Sequence, residues 1–387
     1  MQIRNNIIKM HLLKGVTWFM VAMPIIVLFF QEHGLTITQV MVLQSIYSLS
    51  VAFFEIPSGY IADLFGRKRT IVFSTIFTFI GYLIFSFYGE FHSFAIAQIL
   101  VGIGGSLMSG SDSALIYDTL IEKEEEGVYT KIEGRNYAIG NFSEATAGIL
   151  GGFLAVSSIY LPIYIQTCIL FLSIPIALTL VEPTIHRKDS ISRPFNTISD
   201  IIKFTFLINK KLKWLIIYSS AMGVATLSMA WFAQPFFKQI DMPLAYYGVL
   251  WAGLNFSAGI TSYNAHRLLT SNNYKYLSYN SLIIIISFIS LGMTVSLYGL
   301  LFIFIIYLSR GFITPALRNA ININTTSEKR ATVLSIRSFV IRISFAAIAP
   351  LLGYIGENYS LTASFYLLGI TVGIFSLLSA YKISRLD

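Results

Sequence analysis

The chain is poor in charge and contains almost no cysteine. Only 12% of its 387 residues are charged, whereas 55% are hydrophobic and 15% are aromatic. A single cysteine, Cys168, excludes a disulfide framework and a cysteine-based metal site. The sequence also lacks the nucleotide-binding loop G-x-x-x-x-G-K-[ST] and the zinc-binding helix H-E-x-x-H. We therefore predict no enzymatic activity, no cofactor and no metal site.

Long apolar segments are what the sequence has instead. Runs of about 20 mainly apolar residues recur along the whole chain, and each is long enough to cross the ~30 Å hydrocarbon core of a bilayer. The first run begins near Leu12 and is too long for a signal peptide, so we interpret it as a retained helix. Twelve spans are predicted, at 12–31, 36–58, 70–88, 93–118, 134–157, 160–181, 213–237, 244–266, 275–297, 299–323, 330–354 and 361–381. The sequence therefore predicts an all-α membrane protein.

The distribution of positive charge predicts the orientation. The net charge is +8, and most of the 27 Lys and Arg residues fall in the tails and in alternate loops. Cytoplasmic loops carry such an excess in membrane proteins. We therefore predict a multi-pass protein of the plasma (inner) membrane with both termini in the cytoplasm. Because topology accounts for the basic balance, we expect no nucleic-acid partner.

The longest connection divides the spans six and six. We predict an N-terminal bundle over 1–181, a cytoplasmic linker over 182–212 and a C-terminal bundle over 213–387. The apolar piece "IIKFTFL" within the linker fits either a short amphipathic helix on the membrane surface or a partly ordered connection.

Internal repetition supports two related halves. Residues 135–152 align without gaps on 337–354, and residues 59–70 have a degraded counterpart at 259–270. Two parallel six-helix halves are therefore predicted. In transporters built from repeated halves, the substrate site lies between the halves near the membrane midplane.

One short loop, "PSGYIADLFGRKRT" at 57–70, concentrates charge between the second and third spans. Gly59 is expected to allow close backbone approach and Gly66 to adopt a positive φ angle. Asp63 ends one helix, and Arg67 and Lys68 open the next. Paired charges in a tight loop can hold a neighbouring helix in one conformation and release it in another.

The loop resembles motif A of the Major Facilitator Superfamily, G-x-x-x-D-x-x-G-R-[KR]-x, with Gly59, Asp63, Gly66, Arg67 and Lys68 in register. The resemblance implies a rocker-switch transporter of twelve helices in two pseudo-symmetric six-helix bundles, with motif A bracing the outward-open state. It is closest to the bacterial drug/proton antiporter-like members.

Other positions carry the resemblance further or depart from it. In that family an acidic residue at the inner end of the fourth helix joins the charges of motif A. Asp118 matches this position, and Arg135 is a candidate to complete the network. Gln98 stands where proton-coupled members have an arginine, and "AGILGG" at 147–152 lacks the proline of the antiporter motif.

Charged residues inside the spans are the candidates for coupling and binding, because such residues are costly in a membrane. Glu144, ~15 Å into the fifth span, is the first candidate for a proton-titratable carboxylate. Asp112 and Glu55 are further candidates. Asp112 and Asp118 point ~240° apart on a helix and so cannot serve one cluster.

The substrate cavity has its own candidates. Arg310 and Arg342 lie deep in their spans and can hold an anionic group or pair with carboxylates. Gln234 precedes Pro235, where we expect a helix break. The remaining cavity-lining candidates are Trp231, Asn255 and Trp18.

Three functions compete. The first is proton-coupled efflux of a small lipophilic or cationic organic compound, in which Glu144 and Asp112 lie within an aromatic lining. The second is uptake or exchange of a small anionic solute held by Arg310 and Arg342. The third is a non-transporting membrane receptor or scaffold. The expected partners are a small-molecule substrate, protons as the coupling ion and the lipid bilayer, and we expect a monomer.

Overall fold

The computed structural model describes residues 5–183, 202–268 and 274–386. Throughout this part of the chain the regular secondary structure is helical. Ten helical stretches within it are long and apolar enough to cross a membrane. The α-helices are α1 Asn6–Thr17, α2 Ile26–Glu32, α3 Ile37–Phe65, α4 Arg67–Phe87, α5 Phe91–Met108, α6 Ser111–Ile121, α7 Tyr129–Ser157, α8 Leu161–Leu178, α9 Lys210–Gln239, α10 Ala245–Leu268, α11 Lys275–Met293, α12 Gly299–Ile323, α13 Ser327–Asn358 and α14 Leu361–Ser384.

The first predicted span is a broken helix. It consists of α1, a 3₁₀ turn at Met23–Ile25, and α2. Pro24 lies in the first turn of the 3₁₀ segment, and proline has no backbone N–H with which to continue a helical ladder from the residues before it. Because α1 begins at Asn6 rather than near Leu12, Lys14 lies well inside the helix.

The fourth predicted span is also divided. α5 ends at Met108 and α6 begins at Ser111. Gly110 between them has φ +83°, which glycine adopts without the steric cost that a side chain would add. Asp112 therefore lies in the first turn of a new helix.

The expected break in the seventh span is wrong. α9 continues through Pro235 to Gln239. Pro235, Gln234 and the aromatic residues that follow are buried in the packing of this helix. Tertiary contacts therefore maintain the helix across a residue that removes one of its hydrogen bonds.

The chain forms two compact units. Unit 1 comprises Met1–His33, Ile46–Ser192 and Pro243–Ala252, and unit 2 comprises Gly34–Ser45, Arg193–Met242 and Gly253–Asp387. Most of the predicted linker, residues 184–201, lies outside the described residues. A short π-helix at Phe204–Ile208 precedes α9, and Leu207 and Ile208 within it are exposed.

Unit 1 brings α7 and the beginning of α10 into close contact through glycine. A Cβ on Gly248 would lie 2.1 Å from the carbonyl oxygen of Gly148, and a Cβ on Gly152 would lie 2.7 Å from the nitrogen of Gly248. The glycines of "AGILGG" therefore allow two helix backbones to approach each other, as small residues do in membrane helix pairs.

Unit 2 has a comparable contact between the beginning of α3 and the end of α13. The backbone N–H of Thr38 donates to Glu357 Oε2 at 3.3 Å, and the Thr38 hydroxyl donates to the same oxygen. A Cβ on Gly353 would lie 2.8 Å from the Cα of Thr38.

Candidate functional site

The motif A loop turns sharply at Gly66. Its φ of +95° is in the left-handed region that favours glycine, as the sequence predicts. The Glu182 carboxylate accepts hydrogen bonds from the backbone N–H groups of Arg67, at 2.6 Å, and of Lys68, at 2.7 Å. A negative charge on the first N–H groups of α4 satisfies donors that a helix N-terminus leaves free.

Arg67 joins three helices through its side chain. Its Nη2 lies 2.8 Å from Asp63 Oδ1 at the end of α3, and its Nε lies 3.7 Å from Asp118 Oδ2 near the end of α6. The Arg67 and Asp118 side chains are each only 17% exposed. Burial of this degree weakens solvent screening, so the Arg67–Asp118 pair contributes more than an exposed one.

Two members of the predicted gate lie apart from this cluster. Arg135 is exposed and takes part in none of the ion pairs among the described residues. A Cβ on Gly59 would meet no atom within 4 Å, so the close backbone approach expected there is wrong. Both residues are exposed on their helices.

A second ion pair lies within unit 1. Lys14 Nζ of α1 is 3.5 Å from Asp112 Oδ2 of α6, with side chains 16% and 14% exposed. The same ammonium group lies 4.5 Å from the centre of the Trp18 ring, within cation–π range. Gly140 of α7 makes room for both side chains, because a Cβ there would lie 3.1 Å from the Trp18 ring and 3.3 Å from Lys14 Cε.

The Lys14–Asp112 pair has polar neighbours on α6 and α7. The backbone N–H of Ser113 donates to Asp112 Oδ1 at 2.8 Å, and the Ser113 hydroxyl donates to Glu133 Oε1 at 2.7 Å. Asp112 and Asp118 therefore contact different partners, as their separation around the helix requires.

Glu144 lies on α7, one turn before Gly148. Its Oε1 accepts a hydrogen bond of 3.3 Å from the indole N–H of Trp251 on α10. Trp251 is 6% exposed, and its ring lies against Gly148, where a Cβ would be 3.1 Å from Cδ1. The carboxylate thus lies beside the contact between α7 and α10.

The deep arginines of the C-terminal half have a different environment. The ion pairs in the described part of the chain are Lys14–Asp112, Arg67–Asp63 and Arg67–Asp118, and none includes Arg310 or Arg342. The Arg310 guanidinium lies 5.6 Å from the centre of the Tyr307 ring. The Nε of Arg342 is buried and has no hydrogen-bond partner among the described residues.

The remaining cavity candidates differ in exposure. Gln234 is 1% exposed, which leaves it covered by protein, whereas Trp231 and Asn255 are half-buried. Glu55, a candidate for proton coupling, is also half-buried. Unit 2 contains an apolar cavity of about 300 Å³. Three helices, α9, α13 and α14, line it through residues such as Ser220, Ser344 and Thr371, and it includes none of the predicted site residues.

Sequence reasoning did not select Glu182 or Lys14. Glu182 was assigned to the polar linker, although it directly follows the last apolar residues of α8. Lys14 lies at the edge of the first predicted span, 12–31, and therefore does not stand out as a charge inside the membrane. An earlier helix start, signalled by the apolar residues "II" at 7–8, places Lys14 inside the helix.

These features define a polytopic α-helical membrane protein with two helical units and with ion pairs between its helices. The family model of the Major Facilitator Superfamily matches residues 10–321. The chain belongs to this superfamily.

Curated relatives match part of the chain. It is 26% identical over 191 residues to the uncharacterised MFS-type transporter MJ1560 of Methanocaldococcus jannaschii, covering 48% of each chain. It is 25% identical over 244 residues to the uncharacterised MFS-type transporter YxaM of Bacillus subtilis, covering 61% of this chain and 59% of the relative. The matches thus span about half to three-fifths of the length of these relatives.

Solved structures share the fold over the full length. A crystal structure of the nucleoside transporter NupG, in a variant form, matches with a TM-score of 0.81 at 12% identity, covering 99% of this chain and 100% of NupG. An inward-facing bacterial homologue of the human lysosomal transporter Spinster gives 0.75 at 14% identity, covering 99% and 98%. The D-xylose–proton symporter gives 0.72 at 13% identity, covering 98% and 97%. The chain therefore shares the fold of these transporter structures, and ten helical stretches of its described residues are long and apolar enough to cross a membrane.

Proposed function

We propose that the protein is a proton-coupled secondary transporter of a small organic anion, working by alternating access. The observation that carries this proposal is the absence of a carboxylate within ion-pair distance of Arg310 and Arg342 among the described residues. An arginine side chain stays charged at any physiological pH and needs an anionic partner in a low-dielectric site. A carboxylate or phosphate on the solute supplies that partner.

The acidic residues of unit 1 support the coupling half of the proposal. Glu144 and Asp112 both lie in helical stretches that are long and apolar enough to cross a membrane. Carboxylates in such segments are typical of the proton pathways of transporters. Protons that are transported together with the anion then offset its negative charge as both cross the membrane.

A second function is favoured by one contact. The Glu144 carboxylate lies against the Trp251 indole, and a carboxylate beside an aromatic ring is the combination that binds organic cations. This contact supports the export of a lipophilic or cationic compound, with Glu144 as its counter-charge.

Transport in proteoliposomes with an imposed pH gradient separates the two functions. A panel of organic anions and cations is tested with the wild-type protein, Arg310→Gln, Arg342→Gln and Glu144→Gln. We expect either arginine variant to lose anion transport by at least about ten-fold, because loss of a desolvated charge contact costs on the order of 2 kcal/mol.

The control is Arg385→Gln, which removes a charge from the exposed end of α14 and is expected to leave transport unchanged. Anion transport that survives both Arg310→Gln and Arg342→Gln contradicts the proposal. Cation export lost in Glu144→Gln alone establishes the second function.

A further inference from the structure

Asn6, the first residue of α1, is fully buried and hydrogen-bonds to two distant segments of unit 1. Its Nδ2 donates to the carbonyl oxygen of Val181 at 2.8 Å and to the hydroxyl of Thr119 at 3.1 Å. Its Oδ1 accepts a hydrogen bond of 3.0 Å from the backbone N–H of Val181. These bonds use both N–H donors of the side-chain amide and its oxygen. The start of α1 is therefore joined to α6 and to the segment after α8.

The contact with Val181 determines where the Glu182 carboxylate lies. Because one side-chain amide binds both the N–H and the carbonyl group of Val181, it fixes the position and the direction of the backbone there. Glu182 is the next residue, and its carboxylate accepts hydrogen bonds from the backbone N–H groups of Arg67 and Lys68. The carboxylate also lies against Gly66, where a Cβ would be 2.8 Å from Cδ of Glu182. A shift of Val181 would therefore move the carboxylate away from its donors.

Lys9 of α1 holds the same segment two residues earlier. Its Nζ donates to the carbonyl oxygen of Thr179, and this contact is exposed. The Asn6 contact is buried and lies directly beside Glu182. We therefore expect Asn6 to contribute more than Lys9 to the position of the carboxylate.

The contact with Thr119 involves a second acidic residue. Thr119 is buried near the end of α6 and directly follows Asp118. The Oδ2 of Asp118 lies 3.7 Å from Nε of Arg67, the first residue of α4. One asparagine therefore contacts the neighbours of two acidic residues that lie beside the start of α4.

Helices α1 and α6 are joined at two levels. Asn6 binds Thr119 at one level, and Lys14 pairs with Asp112 at the other. The two levels are about 12 Å apart along α1 and about 10 Å apart along α6, so the helices run antiparallel. Between these levels lie core residues that include Met10, Leu13, Leu115 and Ile116. The two helices thus form a packed pair that ends at the charges of motif A.

We propose that Asn6 is a positioning residue of the motif A charge cluster, which holds the Glu182 and Asp118 carboxylates beside the start of α4. It acts through hydrogen bonds to the residues next to them. The use of this cluster in alternating access rests on the proposed function. The positioning itself does not, and it is tested without a transported solute.

Hydrogen–deuterium exchange of the purified full-length protein in detergent measures the position of Glu182. The N–H groups of Arg67 and Lys68 lie in the first turn of α4, where the helix supplies no acceptor, so their protection depends on Glu182. Overlapping peptides around Gly66, analysed by mass spectrometry, report their exchange. We expect Asn6→Ala to speed up exchange at these two amides roughly ten-fold, because the buried hydrogen bonds to the segment before Glu182 are lost.

Amides in the middle of α4 are expected to exchange in Asn6→Ala as they do in the wild-type protein. Glu182→Ala removes the acceptor itself and is expected to produce the same local loss of protection. Asn6→Asp is a milder variant that keeps the acceptor for the Val181 N–H. It is expected to speed up exchange about three-fold, and it serves as the test variant if Asn6→Ala does not fold.

Two controls separate positioning from a general loss of packing. Asn5→Ala changes the neighbouring asparagine, which is exposed and makes no side-chain capping hydrogen bond, and exchange is expected to stay unchanged. Thr119→Val removes the hydrogen bond between α6 and Asn6 but leaves the two bonds to Val181. It is expected to change exchange at the two amides by less than about two-fold.

Three results would overturn the proposal. The first is wild-type exchange at both amides in Asn6→Ala and Asn6→Asp. The second is equally fast exchange in Thr119→Val and Asn6→Ala, and the third is faster exchange along the whole of α4, since both indicate general loosening. If exchange changes as expected but no solute is transported in proteoliposomes, the positioning role stands and the proposed function fails.

Discussion

At the scale of single residues, the role of a charged side chain depends on the groups that the fold places beside it. Arg67 has two carboxylates within 3.7 Å, whereas Arg342 has a buried Nε without a described partner. Lys14 lies between these extremes, with one carboxylate and one aromatic ring. The same kind of charge is therefore neutralised by carboxylates at one position and is in none of the described ion pairs at another.

The Lys14–Asp112 pair allows a quantitative prediction. Lys14→Gln and Asp112→Asn each leave a largely buried charge without its partner, and each is expected to destabilise the protein by on the order of 3 kcal/mol. The exchange Lys14→Asp with Asp112→Lys restores the attraction and is expected to recover most of this loss. Thermal unfolding in detergent measures both effects.

Lys131→Gln, which removes an exposed charge from α7, serves as the control and is expected to change stability by less than about 0.5 kcal/mol. If the exchanged variant is less stable than either single variant, the ion pair is not what holds α1 against α6.

At the scale of elements, glycine determines where helices bend and how closely they pack. Gly66 and Gly110 mark helix boundaries through positive φ angles. Gly148, Gly152 and Gly248 instead let α7 and α10 meet backbone to backbone. A side chain added at one of these packed glycines is expected to destabilise the protein, whereas one added at a solvent-facing glycine is not.

Gly248→Ala tests the contact between α7 and α10. The added Cβ would lie 2.1 Å from the Gly148 carbonyl oxygen, so the two helices must separate. We expect a destabilisation of roughly 1–3 kcal/mol in thermal unfolding.

Gly134→Ala is the matched control, since a Cβ there meets nothing within 4 Å. This change is expected to be neutral or to stabilise α7 by up to about 1 kcal/mol. Equal stability of Gly248→Ala and the wild-type protein contradicts the close packing of the two helices.

Local sequence patterns predicted part of the motif A site, but they did not predict its contacts between residues distant in the sequence. Asp63, Gly66 and Arg67 are recognisable from their spacing within one loop, and Asp118 from its place on the fourth span. Glu182 contacts the backbone of Arg67 across 115 positions, and no local pattern indicates that distance. The continuous helix at Pro235 depends on burial from all sides, which hydropathy along the chain does not reveal.

At the scale of the whole molecule, the predicted orientation in the membrane determines on which side the gate of motif A lies. Because Cys168 is the one cysteine of the chain, Cys168→Ser gives a background without thiols. Gly127→Cys, in the loop after α6, and Glu90→Cys, in the loop after α4, then report opposite sides of the membrane. Both positions are exposed.

In intact cells, a membrane-impermeant thiol reagent is expected to label Glu90→Cys and to leave Gly127→Cys unmodified until the membrane is permeabilised. The positive-inside distribution of Lys and Arg is the physical reason. Labelling of Gly127→Cys in intact cells would show that the predicted topology is reversed and that the motif A loop lies outside.

The position of Glu182 has a mechanical consequence. The Glu182 carboxylate accepts hydrogen bonds from the first backbone N–H groups of α4. Glu182 follows α8 and lies near the end of the described residues that precede α9. The segment that connects the two halves therefore starts next to a residue that stabilises the turn at Gly66. We expect a deletion shortly after Glu182 to weaken that turn.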